Sequence, residues 1–201
     1  MNLLRELSMG EIVSRIAAVL LYAAIRGSAL AGFARLLGDK RPQYEGRLTA
    51  NPFAHISVWG TVMAALFAMS WVRSMRFDPA QNRLGRWGLI LIVLLALGVV
   101  VALVPLIDLL RPLALLLPRT GGYAVLYVAG QLQIVALASV ALNLLPILGL
   151  IGGVLWQAIW PGEERRLLRL EPFGLALVIV AIVAGWLPNS ANVLLPLVQL
   201  R

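Results

Sequence analysis

The chain has 201 residues, 61% hydrophobic and 13% charged, with a mean hydropathy of +0.89. A soluble domain carries about 25% charged residues, so a chain this poor in polar groups cannot cover a surface in water and reads instead as one bundle of membrane helices. It has a net charge of +8 and no cysteine, which excludes disulfides and thiolate metal sites.

Residues 1–11 contain Glu6 and Glu11 and no small-residue cleavage site, which suits an amphipathic lead-in and not a signal peptide. A bilayer core takes about 20 apolar residues as a helix. The first apolar run, 12–37, is interrupted by Arg15, Arg26 and Arg35, and a helix there carries Arg26 to membrane depth. Residues 38–52 are polar and include Asp39, Lys40, Arg41, Glu45 and Arg47. The run 56–72 is framed by Arg73 and Arg76, and the run 87–107 holds no charge and is the clearest span. Asp108 and Arg111 sit three apart and can neutralise each other. The run 123–145 is broken by Asn143 and Pro146. Residues 143–153, NLLPILGLIGG, place a proline and three glycines at membrane depth, where non-helical backbone is tolerated only when buried in protein or lining a cavity. The run 173–187 is the last span. Residues 188–201, broken by Pro188 and Pro196, form an interfacial tail or a half-helix. The expected architecture is an all-α polytopic membrane protein, a single domain over 1–201, with four to five transmembrane helices and a re-entrant or irregular segment.

The basic residues are nearly all arginine and fall at the ends of the apolar runs, without aromatics interleaved on a polar face. That placement suits anionic headgroups and the positive-inside bias and argues against nucleic acid as a partner. Loops 73–86 and 161–171 are the most basic and belong on the cytoplasmic side. One crossing by each apolar run then puts the basic segment 38–52 on the opposite side, unless that segment folds back or the first helix does not cross simply. The six tryptophans lie mostly near span ends, as an aromatic belt places them.

A catalytic zinc site takes three protein ligands, usually histidine or carboxylate, and an open position. This chain has one histidine and nine carboxylates, the latter scattered mostly in loops, and His55 has no partner at i+4. There is no phosphate loop, nucleotide fingerprint or Ser-His-Asp set. His55 could carry a proton, although a lone histidine after Asn51-Pro52 is more often a hydrogen-bonded cap at a helix start. Arg26 either pairs with a carboxylate, a backbone carbonyl or a partner's acid, because a charge at membrane depth costs about 2.5–3.5 kcal/mol, or snorkels to a headgroup. Glu163, Glu164, Arg165, Arg166 and Arg169 form a solvated loop of local ion pairs or a docking site.

Four pieces in order resemble the site-2 protease family of intramembrane zinc metalloproteases, especially its short bacterial branch. Leu37-Gly38-Asp39, Glu45-Gly46-Arg47-Leu48-Thr49-Ala50-Asn51-Pro52 and Ala54-His55-Ile56 look like the family's LGD…GRLTLNP…HID. The small and apolar residues of the third run are the second piece. Asn143-Leu144-Leu145-Pro146-Ile147, leading to Gly152-Gly153, is similar to NLLPIPPLDGG, and Leu170-Glu171-Pro172-Phe173-Gly174 is similar to LEPYG. The resemblance covers residues 12–187 and implies a site-2-protease-like core.

The same resemblance implies that the metal-binding residues are gone. The family's H-E-x-x-H puts two imidazoles on one helix face with a glutamate as general base, and the aspartate of LDGG is the third ligand. Those four positions correspond here to Arg26, Gly27, Leu30 and Ile151. Ser57 stands in place of the aspartate after the histidine, and Ala96-Leu97-Gly98-Val99 in place of A-G-P-x-x-N. Gly38, Asp39, Gly46, Arg47, Asn51, Pro52, His55, Asn143, Pro146, Gly152 and Gly153 are the retained motif positions, structural or lining a groove. The implied protein is a pseudopeptidase of the bacterial cytoplasmic membrane, without zinc or other cofactor. It would be an accessory, scaffolding or substrate-holding subunit among other membrane proteins and lipid, with small-residue faces at 29–34 and 149–153 for close packing. Two other readings stay open: an active peptidase with unrecognised or partner-supplied ligands, and a small transporter or proton path built around Arg26.

Overall fold

The computed structural model describes residues 8–159, 164–187 and 189–199, without side-chain detail at 155, 157, 164, 165, 167 and 168. The lead-in 1–7, Trp160, Glu163, the side chains of Glu164 and Arg165, Pro188 and residues 200–201 therefore lie outside the description.

Helix α1 (Met9–Leu36) starts at Ser8, whose hydroxyl accepts the Glu11 N–H at 3.2 Å. It stops at Gly38, where φ is +102°, a conformation that costs glycine nothing. Its buried stripe is mostly small: Ala18, Ala23, Ala31 and Ala34 let the helices at 58–67, 86–110 and 119–143 approach closely. The remaining helices are α2 (Arg41–Tyr44), α3 (Val58–Phe67), α4 (Arg86–Leu110, running on as a 3-10 turn to Leu116), α5 (Arg119–Asn143), α6 (Val154–Ile159), α7 (Glu164–Val183) and α8 (Ala191–Val198). Among the described residues there is no strand, and the one β-type contact is an isolated antiparallel bridge between Ile56 and Val72.

Three helices, Met9–Leu36, Arg86–Leu116 and Arg119–Asn143, are long and apolar enough to cross a membrane. They pack on one another through Tyr22 and Leu30 of α1, Leu89, Ile92 and Val100 of α4, and Val135 and Ala136 of α5. Outward, Leu94, Leu106 and Leu109 of α4 and Tyr123 and Val125 of α5 stay exposed, as lipid requires.

The run 56–72 is not a span. Its helix, α3, has ten residues, about 15 Å at 1.5 Å per residue, and ends at Ala68 in the left-handed region with φ 56°. The chain then returns in an extended path beside its own helix. Trp71 lies so close to Gly60 that a Cβ there would sit 2.3 Å from the Trp71 carbonyl oxygen. This helix-and-return hairpin is a re-entrant-type element at 56–72, whereas the sequence points to 38–52 as a segment that could fold back and to 143–153 as irregular backbone, which the latter is. Side chains from elsewhere hold the hairpin's open backbone groups. Arg15 Nη1 donates to the carbonyls of Ala65 and Leu66 at 3.2 and 3.1 Å, and Asn189 Nδ2 donates to Phe67 O at 3.1 Å. Ser70 N–H donates to Ser139 Oγ at 2.9 Å.

With α3 too short to cross as a helix, the basic segments can share one side, and contacts join them. The Asp39 carboxylate accepts the N–H of Asp78 at 2.7 Å, Arg83 N–H donates to Leu37 O at 2.8 Å, and Ser74 Oγ donates to Glu171 at 2.5 Å. Segments 38–52, 73–86 and the start of α7 thus gather at one end of the bundle.

The run 173–187 is not among the helices long and apolar enough to cross: α7 ends at Val183, and its N-terminal turns carry exposed Arg166 and Arg169. The tail forms α8, packed against α4 and α5, which is the half-helix form. The tryptophans do not all make a belt. Trp59, Trp87 and Trp186 are exposed, but Trp71 is buried in a second core cluster with Met69, Leu137, Val178 and Ile182, and Trp156 donates to Pro146 O at 2.8 Å. Asp108 and Arg111 do pair, at 3.2 Å, and Gln133 donates to the same carboxylate at 2.8 Å.

Candidate functional site around Arg26

Arg26 projects from the middle of α1 and is 1% exposed, so it does not snorkel. No carboxylate among the described residues pairs with it. Its Nη1 donates to the Tyr22 hydroxyl at 2.7 Å, one turn earlier, and its Nη2 donates to Asn143 Oδ1 at 2.8 Å. Its Nε–H has no partner. The orientation of the Asn143 amide follows from its neighbours. Nδ2 must face two acceptors, the carbonyls of Ser70 at 2.9 Å and Ser139 at 2.7 Å, which turns Oδ1 toward the guanidinium.

Arg26 and Leu30 of α1 and Ile151 of the 143–153 segment line one cavity of about 60 Å³. Three of the four positions aligned with metal ligands and base therefore converge in space, although 117 residues separate Arg26 from Asn143. The fourth, Gly27, faces His55: a Cβ at Gly27 would lie 2.2 Å from His55 Cγ. A zinc ion does not fit this set. A guanidinium, two aliphatic side chains and a glycine supply no ligand, and among the described residues no three His, Cys, Asp or Glu side chains group to hold a metal.

The retained motif positions lock backbone. The Asp39 carboxylate, fully buried, accepts N–H groups from Arg41 at 2.9 Å and Asp78 at 2.7 Å and so ties the end of α1 to the return segment. At Gly38 a Cβ would lie 2.9 Å from Gln81 O. Gly46 precedes Arg47, whose guanidinium donates to Ala54 O. Asn51 Oδ1 accepts Phe53 N–H at 3.0 Å and caps the short 3-10 turn opened by Pro52. His55, 1% exposed, donates from Nε2 to Thr49 O at 2.8 Å. It closes the 49–55 turn and does not cap a helix start, the cap of α3 being Ser57. Burial pushes the His55 pKa below its ordinary value, the bond to Thr49 O opposes this, and Arg47 lowers it further. Arg47 is itself lowered, first by burial and then by Arg73, against Glu45. In the second motif, Pro146 O receives the Trp156 indole, a Cβ at Gly152 would lie 2.1 Å from Leu145 O, and one at Gly153 2.9 Å from Ile147 O.

The cavity opens outward into a polar vestibule of about 540 Å³ bounded by Glu45, Arg47, Phe53, Arg73, Arg76 and Glu171. Arg73, Ser74, Arg76 and Glu171 line both, and the cavity is walled by extended backbone from Val72 to Phe77, with Met75 and Phe77 buried and Arg76 exposed. The backbone groups of Ser74, Met75 and Arg76 make no hydrogen bond among the described residues. Sequence reasoning missed this wall and missed Tyr22, Ser70 and Ser139. The signals that could have found them are period-two alternation at 75–77 and the i,i+4 pairs Tyr22–Arg26 and Ser139–Asn143.

No family model, curated protein or solved structure matches this chain.

Proposed function

We propose that this chain is a non-catalytic relative of site-2 protease that acts as an accessory or scaffolding subunit of a membrane assembly, holding a segment of another membrane protein without cutting it. The observation that carries this is the convergence of Arg26, Leu30 and Ile151 on one cavity, where the resemblance calls for two histidines and an aspartate. A fixed cation repels a metal, and the neighbours supply no ligand.

The holding role draws on the cleft. The segment from Ser74 to Arg76 offers unpaired N–H and C=O groups along an extended stretch, the arrangement to which a second extended peptide adds as a strand. The cleft continues from the buried cavity to the vestibule past Glu171, so a bound segment would have one apolar and one polar end. Bacterial inner-membrane residence belongs to the same proposal.

The test is to purify the protein in mild detergent from native membranes, measure zinc by elemental analysis, assay cleavage of a membrane-segment peptide, and photo-crosslink from position 75. Crosslinks to a co-purifying membrane protein, with neither zinc nor cleavage, are expected. Stoichiometric zinc together with cleavage overturns the proposal.

A further inference from the structure

We propose that the cavity beside Arg26 binds a carboxylate group. Arg26 is a cation at 1% exposure with no acid partner among the described residues. Its two hydrogen bonds go to neutral groups, Tyr22 and Asn143. A guanidinium has five N–H donors, so three stay unused, and the Nε–H is buried without a partner. Two other arginines of the bundle have acid partners: half-buried Arg15 pairs with Glu11 and also reaches Gln131 and two carbonyls, and exposed Arg111 pairs with Asp108. Buried Arg47 gives its guanidinium to the Ala54 carbonyl. Ionisable groups at membrane depth pair with an opposite charge or mark the path of a substrate or ion. Since no such charge pairs with Arg26 among the described residues, we assign that place to a ligand.

Room for that ligand lies beside the guanidinium. The cavity that Arg26 lines has about 60 Å³, whereas one water needs about 10–15 Å³. It therefore takes formate, or the head of an acidic side chain, and excludes a sugar or a nucleotide. The planar fork of an arginine matches two oxygens side by side and favours a carboxylate over a halide. The approach carries a small excess of positive charge, Arg47, Arg73 and Arg76 against Glu45 and Glu171, which favours entry of an anion. Glu171, which also lines the cavity, is engaged by the Ser74 hydroxyl at 2.5 Å.

Two sources share this chemistry, a free small carboxylate and an acidic residue or C-terminus of a peptide lying in the cleft. The inference does not rest on the holding role, because the cation and the cavity are present under either reading.

The experiment uses the full chain in detergent. Tryptophan-fluorescence melting is followed while sodium formate replaces sodium chloride at constant ionic strength, and line broadening of carbon-13 formate reports binding directly. The expected result is a saturable rise in Tm of roughly 5 °C at a hundredfold excess over Kd, with broadening reversed by acetate. Arg26→Met abolishes both effects. Leu30→Phe, which keeps the cation and fills the cavity, also abolishes them and decides the matter if Arg26→Met does not fold. Displacement of formate by a peptide containing glutamate, and not by its glutamine counterpart, assigns the carboxylate to a peptide; no displacement by either assigns it to a free small acid. Equal stabilisation by formate and chloride, or broadening that survives Leu30→Phe, overturns the proposal. Neither outcome alters the zinc, cleavage and crosslinking measurements that test the holding role.

Discussion

The guanidinium of Arg26 and the amide of Asn143 meet at 2.8 Å across 117 residues of sequence, and that bond joins the two segments on which the cleft depends. Asn143 ends α5, holds the return segment through Ser70 O, and gives its one oxygen to the buried cation. The cation is thus part of the packing between α1 and α5.

Removing the acceptor should therefore cost more than removing the charge. Asn143→Leu leaves a buried cation short of a partner and strips Ser70 O and Ser139 O of a donor, an expected loss of about 3–5 kcal/mol. Arg26→Met removes the charge along with its needs and should cost well under half of that. Asn143→Asp supplies a counter-charge but sets a carboxylate oxygen against the carbonyls of Ser70 and Ser139, so it should fall between the other two. Thermal unfolding of the three variants in one detergent gives the ranking, and an Asn143→Leu protein as stable as Arg26→Met would refute it.

Gly27 allows His55 to lie against α1. A Cβ there would sit 2.2 Å from His55 Cγ and 2.3 Å from Nδ1, so Gly27→Ala should push the 49–55 turn off the helix at a cost of about 1–3 kcal/mol. The double variant Gly27→Ala with His55→Ala should recover part of the loss. Comparing melting temperatures across this double-mutant cycle measures the coupling.

Acid should weaken the same turn. Burial, the largest effect, and Arg47 hold the folded-state pKa of His55 below its unfolded value, against the opposing bond to Thr49 O. The unfolded chain then binds the proton more readily than the folded one. The contribution of His55 is fully present above about pH 6.5 and is lost as the pH falls through the lower, folded value. Amide exchange at residues 49–56 should accelerate over that interval in the wild type, and His55→Gln should remove this part of the pH response.

Asp39 holds the end of α1 to the return segment by accepting two backbone N–H groups. Hydrogen bonds to a charged group contribute about 1.5–3 kcal/mol each, so Asp39→Ala should lower stability by about 3 kcal/mol or more and Asp39→Asn by less. Exchange at Asp78 and nearby amides is the direct readout. Unchanged protection there would mean that the carboxylate is dispensable.

Much of the bundle was legible because lipid imposes long uncharged runs, and the periods of α4 and α5 follow directly from that requirement. The hairpin was not. Residues 56–72 are apolar enough to cross, and nothing local marks Ala68 as the point of reversal; what turns the chain there is a set of distant donors and acceptors in Arg15, Ser139, Asn143 and Asn189. In the site, motif spacing located Arg26, Leu30 and Ile151, while the partners of Arg26 stayed hidden. Tyr22 and Asn143 are ordinary residues in their helices, and only the fold sets them beside a guanidinium.

The hairpin also gives biogenesis an order. Its carbonyl and amide groups are matched by Arg15, which leaves the ribosome first, by Ser139 and Asn143, which emerge at the end of α5, and by Asn189, which emerges after α7. Until then the loop's peptide groups have nowhere apolar to go. The hairpin's final seat in the bundle is therefore expected to form late, once α7 has been made.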